Sequence, residues 1–374
     1  MPRFTNLVKG LPATVPFVGP EAQERVRNRR FRARVGANES VFGPSPKALM
    51  AMQKAAAGAW MYGDPENHDL RNALADRHGV DVENVVVGEG IDGLLGYLVR
   101  MLVEPGDRVV TSLGAYPTFN FHVSGFGGAL VTVPYRDDHE DIQELVAKAG
   151  ETGAKLVYLA NPDNPMGTFH PADIVAAALE RIPDGCLLVL DEAYIDCAPE
   201  PGPAINTGDS RVVRMRTFSK VHGMAGARVG YAIGHAELIG AFDKIRNHFG
   251  MCRISQAGAL ASLGDPDHLS DVVARIDRAR RRIAAIANEN GLSAIPSAAN
   301  FVAVDCGADG AFARRVLESL IKRDVFVRMP LVAPQDRCIR VSAGTNADLD
   351  LFAEVLPHAL SDARNPQSTV NRPV

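Results

Sequence analysis

The chain has 374 residues, 46% hydrophobic and 22% charged: ordinary globular content, and more length than one typical domain. A net charge of −4 supplies no field to hold nucleic acid or an anionic membrane, and no apolar run reaches the ~20 residues that cross a bilayer. Five scattered cysteines without metal spacing and an N-terminus without an apolar signal core lead us to expect a cytoplasmic protein with buried thiols and no metal.

Residues 1–45 are rich in Pro and Gly and lack long periodicity, as an arm wrapping another surface would be. Their arginines (Arg25, Arg27, Arg29, Arg30, Arg32 and Arg34) read as a solvated arm or as intersubunit contacts. Residues 46–58 form a helix opened by Pro46 and closed by Gly58, and Trp60–Pro65 is an aromatic turn. Strands and helices then alternate. Val85–Val87 leads through Gly88–Gly93 into a helix at Leu94–Leu102. Strands at Asp107–Thr111, Lys155–Ala160 and Cys186–Leu190 are followed by Gly114–Pro117, Asn161–Gly167 and Asp191–Tyr194. After about residue 265 the texture changes. A long charged helix (Leu269–Asn288) precedes strands at Asn300–Asp305, Val325–Arg328 and Cys338–Val341, with a helix at Ala311–Lys322 and a loose tail after about Ser361.

Continuous apolar strands separated by helices indicate an α/β fold whose large, mostly parallel sheet is covered on both faces, with a smaller α+β domain after it. In such sheets ligands bind beyond the carboxyl ends of the strands. Each polar cluster named above follows a strand, so one site explains them all.

Within 211–231, Lys220 follows Ser219, precedes the small residues Gly223–Gly226 and lies eight positions before Arg228. Lysine can serve as a neutral amine and form a Schiff base, while a hydroxyl and a guanidinium suit a phosphate. Together they point to pyridoxal 5′-phosphate. Asp191 ends a buried run and needs a cationic partner such as a pyridinium N–H. Tyr194 and Asn164 are placed to hydrogen-bond the cofactor's phenolic oxygen, and Tyr116 to stack on its ring. The amides of Gly90, Ile91 and Asp92 at a helix start offer an anion site. Arg340 and Arg328, in strands of apolar texture, fit a substrate carboxylate or phosphate. Every one of these residues has an ordinary alternative: a surface turn for Lys220, a helix cap for Asp191, a core aromatic for Tyr116, structural ion pairs for the arginines.

The ensemble resembles the fold-type-I, pyridoxal-phosphate-dependent aminotransferases of class I/II, and among them is most similar to the histidinol-phosphate aminotransferase group. The resemblance rests on GANESVFGPSP (36–46), YGDPENHDLR (62–71), GEGIDGLL (88–95), AYPTF (115–119), NPDNPMG (161–167), DEAY (191–194), RTFSKVHGMAGARVGY (216–231), ANF (299–301) and IRVSAGT (339–345), in order and over nearly the whole chain. It implies a Schiff base at Lys220, which also shuttles a proton, and a pyridine-nitrogen partner in Asp191. It implies phosphate contacts from Ser219, Arg228, Gly90–Asp92 and the Tyr62 of a second subunit, hence a homodimer with shared sites. Arg340, with Arg328 and Asn164, is implied on the substrate side. The implied reaction moves an amino group between an amino acid, glutamate by resemblance, and a 2-oxo acid or a phosphorylated carbonyl compound such as imidazole-acetol phosphate. A decarboxylase or lyase on the same scaffold and a non-catalytic pyridoxal-phosphate-binding regulator are the alternatives. The chain departs from the family at Ser40–Gly43, Gly90–Gly93, Val221–His222 and Met166, positions on the pocket wall. The implied organisation is an arm (1–45) joining the small domain, a large cofactor-binding domain (46–265) and a small C-terminal domain (266–374).

Overall fold

The computed structural model describes residues 2–12 and 18–365. Within them the strands are β1 (Ala33–Arg34), β2 (Val85–Gly88), β3 (Arg108–Ser112), β4 (Ala129–Val133), β5 (Leu156–Ala160) and β6 (Leu187–Asp191), then β7 (Val212–Thr217), β8 (Gly230–Gly234), β9 (Ser293–Ala294), β10 (Phe301–Asp305), β11 (Val325–Phe326) and β12 (Cys338–Ser342). Seven of them form one sheet in the order β2-β8-β7-β6-β5-β3-β4. All its pairings are parallel except the two made by β8, which runs against both β2 and β7. β5 and β6 are buried at every residue, as continuous apolar strands must be when helices cover both faces. Their side chains alternate between two cores: Tyr158 and Val189 join Leu94, Leu98 and Phe119 on one face, while Val157, Leu159, Leu188 and Leu190 join Ile142 and Leu145 on the other.

The helices obey the local signals. Pro46–Ala56 begins with Ser45 Oγ accepting from Ala48 N and Pro46 in its first turn. Gly90–Leu102 buries Leu94, Leu95, Leu98 and Val99 on the face toward the sheet. Pro266–Glu289 lays Val272, Ile276, Ala279, Ile283 and Ile286 on a separate core, shared with β10, β12 and the helices Gly310–Lys322 and Asn346–Arg364. The last helix runs through Ser361 to Arg364, where a loose tail was expected; residues 366–374 lie outside the described residues.

The N-terminal segment is not featureless. It contains the helices Asn6–Gly10 and Pro20–Arg27, and β1 pairs in parallel with β11. Arg27 and Arg29 both ion-pair with Asp324, which is 1% exposed, and Arg34 pairs with Glu21 and Glu24. Arg27, Arg29 and Arg34 thus pin the arm to its own chain, where solvated or intersubunit cations were expected, while Arg25, Arg30 and Arg32 are exposed. All five cysteines are free. Among the described residues no helix is long and apolar enough to cross a membrane.

Candidate active site

Because β2, β3, β5, β6 and β7 point the same way, their carboxyl ends share one edge of the sheet. A cleft of about 360 Å³ opens over that edge, bounded on its far side by Arg328 and Arg340. Twelve of the thirteen residues singled out from the sequence lie on its lining or within the loops that form it. Tyr62 is the exception. It is 76% exposed, and its ring packs 4.6 Å from that of Phe249, outside the cleft of its own chain.

Lys220 is set by a tight turn after β7. Gly223 N donates to Lys220 O and Met224 N to Phe218 O, folding the chain back on itself. Gly223 has φ +67, and a Cβ there would stand 2.2 Å from Gly43 carbonyl carbon, so only glycine lets the turn close. Lys220 Nζ donates to Asn38 O at 3.1 Å and lies 5.1 Å from the centre of the Tyr194 ring.

Asp191 ends β6 and is 4% exposed. Its carboxylate accepts from Tyr158 Oη at 2.6 Å and from Ala193 N at 2.9 Å, both neutral donors. Burial pushes its pKa up to about 6 against the opposing pull of these hydrogen bonds and of Lys220. The neighbouring Glu192 has the opposite setting, its two oxygens held by Arg214 and Arg216 at 2.8 Å each. One carboxylate of the pair is thus neutralised within the fold, and its neighbour is offered to the cleft.

Tyr194 Oη accepts from two amides, Asn38 Nδ2 at 3.0 Å and Asn164 Nδ2 at 3.1 Å. With both acceptor positions taken, the hydroxyl hydrogen is left to point elsewhere. Tyr116 donates to Asp92 Oδ1 at 2.8 Å, and burial, with Asp92 beside it, pushes the phenol up.

Gly90, Ile91 and Asp92 open the helix Gly90–Leu102, where backbone N–H groups have no helical partner. Arg228 sits opposite in a left-handed conformation, donating to Ser219 Oγ at 3.4 Å and approaching Asp92 at 3.9 Å. Gly90 has φ +78, and a Cβ there would stand 2.3 Å from Arg228 Nη2. The glycine keeps this cradle open.

Across the cleft, Arg328 and Arg340 exchange backbone hydrogen bonds, an isolated bridge rather than the longer Val325–Arg328 strand expected. Arg340 is 8% exposed. Its Nη1 donates to Asn164 Oδ1 at 2.5 Å, its guanidinium lies 5.2 Å from the Phe301 ring centre, and its Nε has no partner among the described residues. Burial and the neighbouring Arg328 push its pKa down, to about 10. A desolvated cation with an open donor is built to receive an anion.

These side chains fit a phosphorylated pyridine aldehyde: an amine, a buried carboxylate that no cation hydrogen-bonds among the described residues, a phenol with its hydrogen free, and a hydroxyl–guanidinium–amide cradle. Two members escape sequence reasoning. Asn38, 2% exposed at φ +56, joins Lys220, Tyr194, Ser342 and Asn300, yet its stretch was read as an arm and as part of the GANESVFGPSP motif, with no role given to Asn38 itself. Tyr158 supports Asp191 from inside an otherwise aliphatic strand.

Known proteins resemble this chain over most of its length. Residues 34–356 match the family model of aminotransferase class I and II. The histidinol-phosphate aminotransferase of Moorella thermoacetica is 30% identical over 366 residues, covering 96% of this chain and 94% of that protein. That of an Anaeromyxobacter species is 34% identical over 333 residues, covering 88% and 91%. The crystal structure of histidinol-phosphate aminotransferase from Sinorhizobium meliloti in complex with pyridoxal 5′-phosphate superposes with a TM-score of 0.94 at 52% identity, covering 97% of this chain and 98% of that one.

Proposed function

The chain belongs to the class I and II aminotransferases, and from that premise we propose that it moves an amino group between an amino acid, glutamate in the first instance, and a carbonyl compound bearing a phosphate. It is a transaminase, and its cofactor is pyridoxal 5′-phosphate. The observation that carries the substrate class is the buried Arg340 with its open Nε beside Arg328: two guanidiniums on one wall suit a dianion better than a single carboxylate. The relatives named as histidinol-phosphate aminotransferases support the same reading.

When bound, the cofactor supplies an aldehyde that takes up the substrate's amine and a ring that accepts an electron pair. Lys220 would hold the aldehyde carbon, Asp191 the pyridine nitrogen, Tyr194 and Asn164 the phenolic oxygen, and Tyr116 the ring face. Ser219, Arg228 and the amides of Gly90, Ile91 and Asp92 would hold the phosphate. Lys220 Nζ would take the proton from the substrate's α-carbon as a general base and deliver it, as a general acid, to the carbon that the cofactor's aldehyde supplies. Asp191, kept ionised, holds a proton on the ring nitrogen. Tyr194 donates the hydrogen that Asn38 and Asn164 leave free. Arg340, with Arg328, orients the anionic end of the substrate so that the reacting bond faces Lys220. Tyr62, outside its own cleft, would reach the phosphate across a homodimer interface.

The test is an absorbance spectrum of the purified, cofactor-loaded protein before and after L-glutamate, followed by regeneration with carbonyl acceptors. Bleaching by glutamate and recovery by a phosphorylated carbonyl compound at least tenfold faster than by its unphosphorylated counterpart is expected. Equal recovery by both would overturn the substrate class.

A further inference from the structure

Behind the cleft lie two buried carboxyl groups that the reaction does not use. Glu140, after β4, and Asp163, on the loop after β5, are 1% and 2% exposed. Glu140 spans two strands: Oε2 accepts from Ser112 Oγ of β3 at 2.6 Å and Oε1 from Ala160 N of β5 at 2.9 Å. Asp163 ties its own loop, Oδ2 accepting from Met166 N and Oδ1 from Tyr135 Oη, both at 2.8 Å. All four donors are neutral. The two carboxyl groups act on each other, with no cation among the hydrogen-bond partners of either within the described residues. Ionised carboxylates only accept, so two of them side by side can bond only with a proton on one. Two adjacent buried charges without a cation are also far costlier than one.

We propose that Glu140 and Asp163 share a single proton, and that this pair is the positioning device of the loop that carries Asn164. Resting on the roles given above to Asn164 and Arg340, the consequence is direct. Asn164 is the next residue in the chain, and its amide meets Tyr194 Oη on one side and Arg340 on the other. Any slip of the loop therefore disturbs the cofactor side and the anion side together. The pair retains one negative charge, which acts on Arg340.

The surroundings agree. Burial pushes both carboxyl groups up, and with Asp163 beside it Glu140 is held well above the usual carboxylate range. The other ionisable groups around the pair are Tyr135, Tyr158 of β5, Asp191 of β6, Arg340 of β12 and His170. Burial pushes both tyrosines up, so they stay protonated, and it pushes His170 down, so that ring is neutral near pH 7. Asp191 adds repulsion and favours the shared proton; Arg340 opposes it. The folded chain holds this proton where the unfolded chain has lost it, so the stability it brings is full below about pH 4. That stability drains away as pH rises through the raised folded range of the pair, which belongs to the two groups together.

Asp163→Asn supplies a permanent hydrogen in place of the shared proton, and Asp163→Ala supplies none. For the cofactor-free protein, thermal melts from pH 5 to 9 should show Tm falling less steeply with pH in Asp163→Asn than in the parent. For the loaded enzyme, Asp163→Ala should lower kcat/KM for the anionic substrate about tenfold or more, and Asp163→Asn should recover most of that loss and extend the activity plateau to higher pH. Glu140→Gln is the reciprocal variant should Asp163→Asn not fold. Parallel Tm–pH curves for the parent and the amide variants would overturn the shared proton. Equal losses in the Ala and Asn variants would overturn the positioning role. If instead the melts behave as expected and Arg340→Ala leaves substrate affinity unchanged, the fault lies in the reading of Arg340 and not in the pair.

Discussion

Along the sheet edge each reactive side chain sits within a few residues of a buried strand's end, and what it touches is neutral: Asp191 meets a phenol and an amide, and Lys220 a carbonyl oxygen. Across the cleft, Arg328 and Arg340 are cations in a desolvated bridge, one braced by Asn164 and the Phe301 ring. The edge is held by the backbone ladder of seven strands and fixes where chemistry happens. The wall is held by a two-residue bridge and a side-chain amide and decides what is admitted. Changes at the edge should therefore appear in kcat, and changes at the wall in KM and selectivity.

The strongest test of that division is Lys220→Ala. It should lower kcat by roughly 10⁴-fold with an unchanged circular-dichroism spectrum, because a proton-transferring group is removed from a turn that Gly223 and Met224 close without its side chain. Next comes Asp191→Asn, with kcat down about 10³-fold. Its stability effect runs the other way. A carboxyl raised to about 6 by burial stabilises the fold only while protonated, and that contribution is lost as pH rises through 6, so the amide should stabilise the cofactor-free protein by up to about 3 kcal/mol at pH 7.5. A denaturant melt measures this, and a destabilised amide variant would contradict the burial argument. The wall follows. Arg340→Ala should lower kcat/KM for a phosphorylated substrate about 100-fold, mostly through KM, and Arg328→Ala about tenfold. Should either lower kcat alone, the line between edge and wall was drawn in the wrong place. Smallest is Tyr116→Phe, which loses one hydrogen bond to a half-exposed Asp92 and should cost less than about tenfold.

The edge was the legible part of the sequence, because a continuous apolar run followed by Gly, Asn or Asp announces a buried strand and the loop at its end. Polarity of pairing was not legible: Gly230–Gly234 carries no local mark that it runs against its neighbours. The helix Asn346–Arg364 was hidden by Pro357, which breaks the pattern from within. Tyr158 reads as one more apolar residue, since periodicity reports which face a side chain takes and not what its hydroxyl meets. Asn38 makes its bonds to residues 156 to 304 positions away, contacts that no local window contains. Asp163 and Glu140, 23 positions apart in sequence, become a unit only when β3 and β5 are paired.

The anchoring of the arm has a consequence for the order of assembly. Arg27 meets Asp324 across 297 positions, and Arg328 takes Val18 O across 310. During synthesis these partners emerge last, whereas the whole seven-stranded sheet lies between residues 85 and 234. The sheet can thus form while the first thirty-odd residues still lack their dock, and the admitting wall is completed only when the chain's two ends meet. A ribosome-bound fragment ending near residue 265 should accordingly protect the sheet from protease and leave the arm open to cleavage.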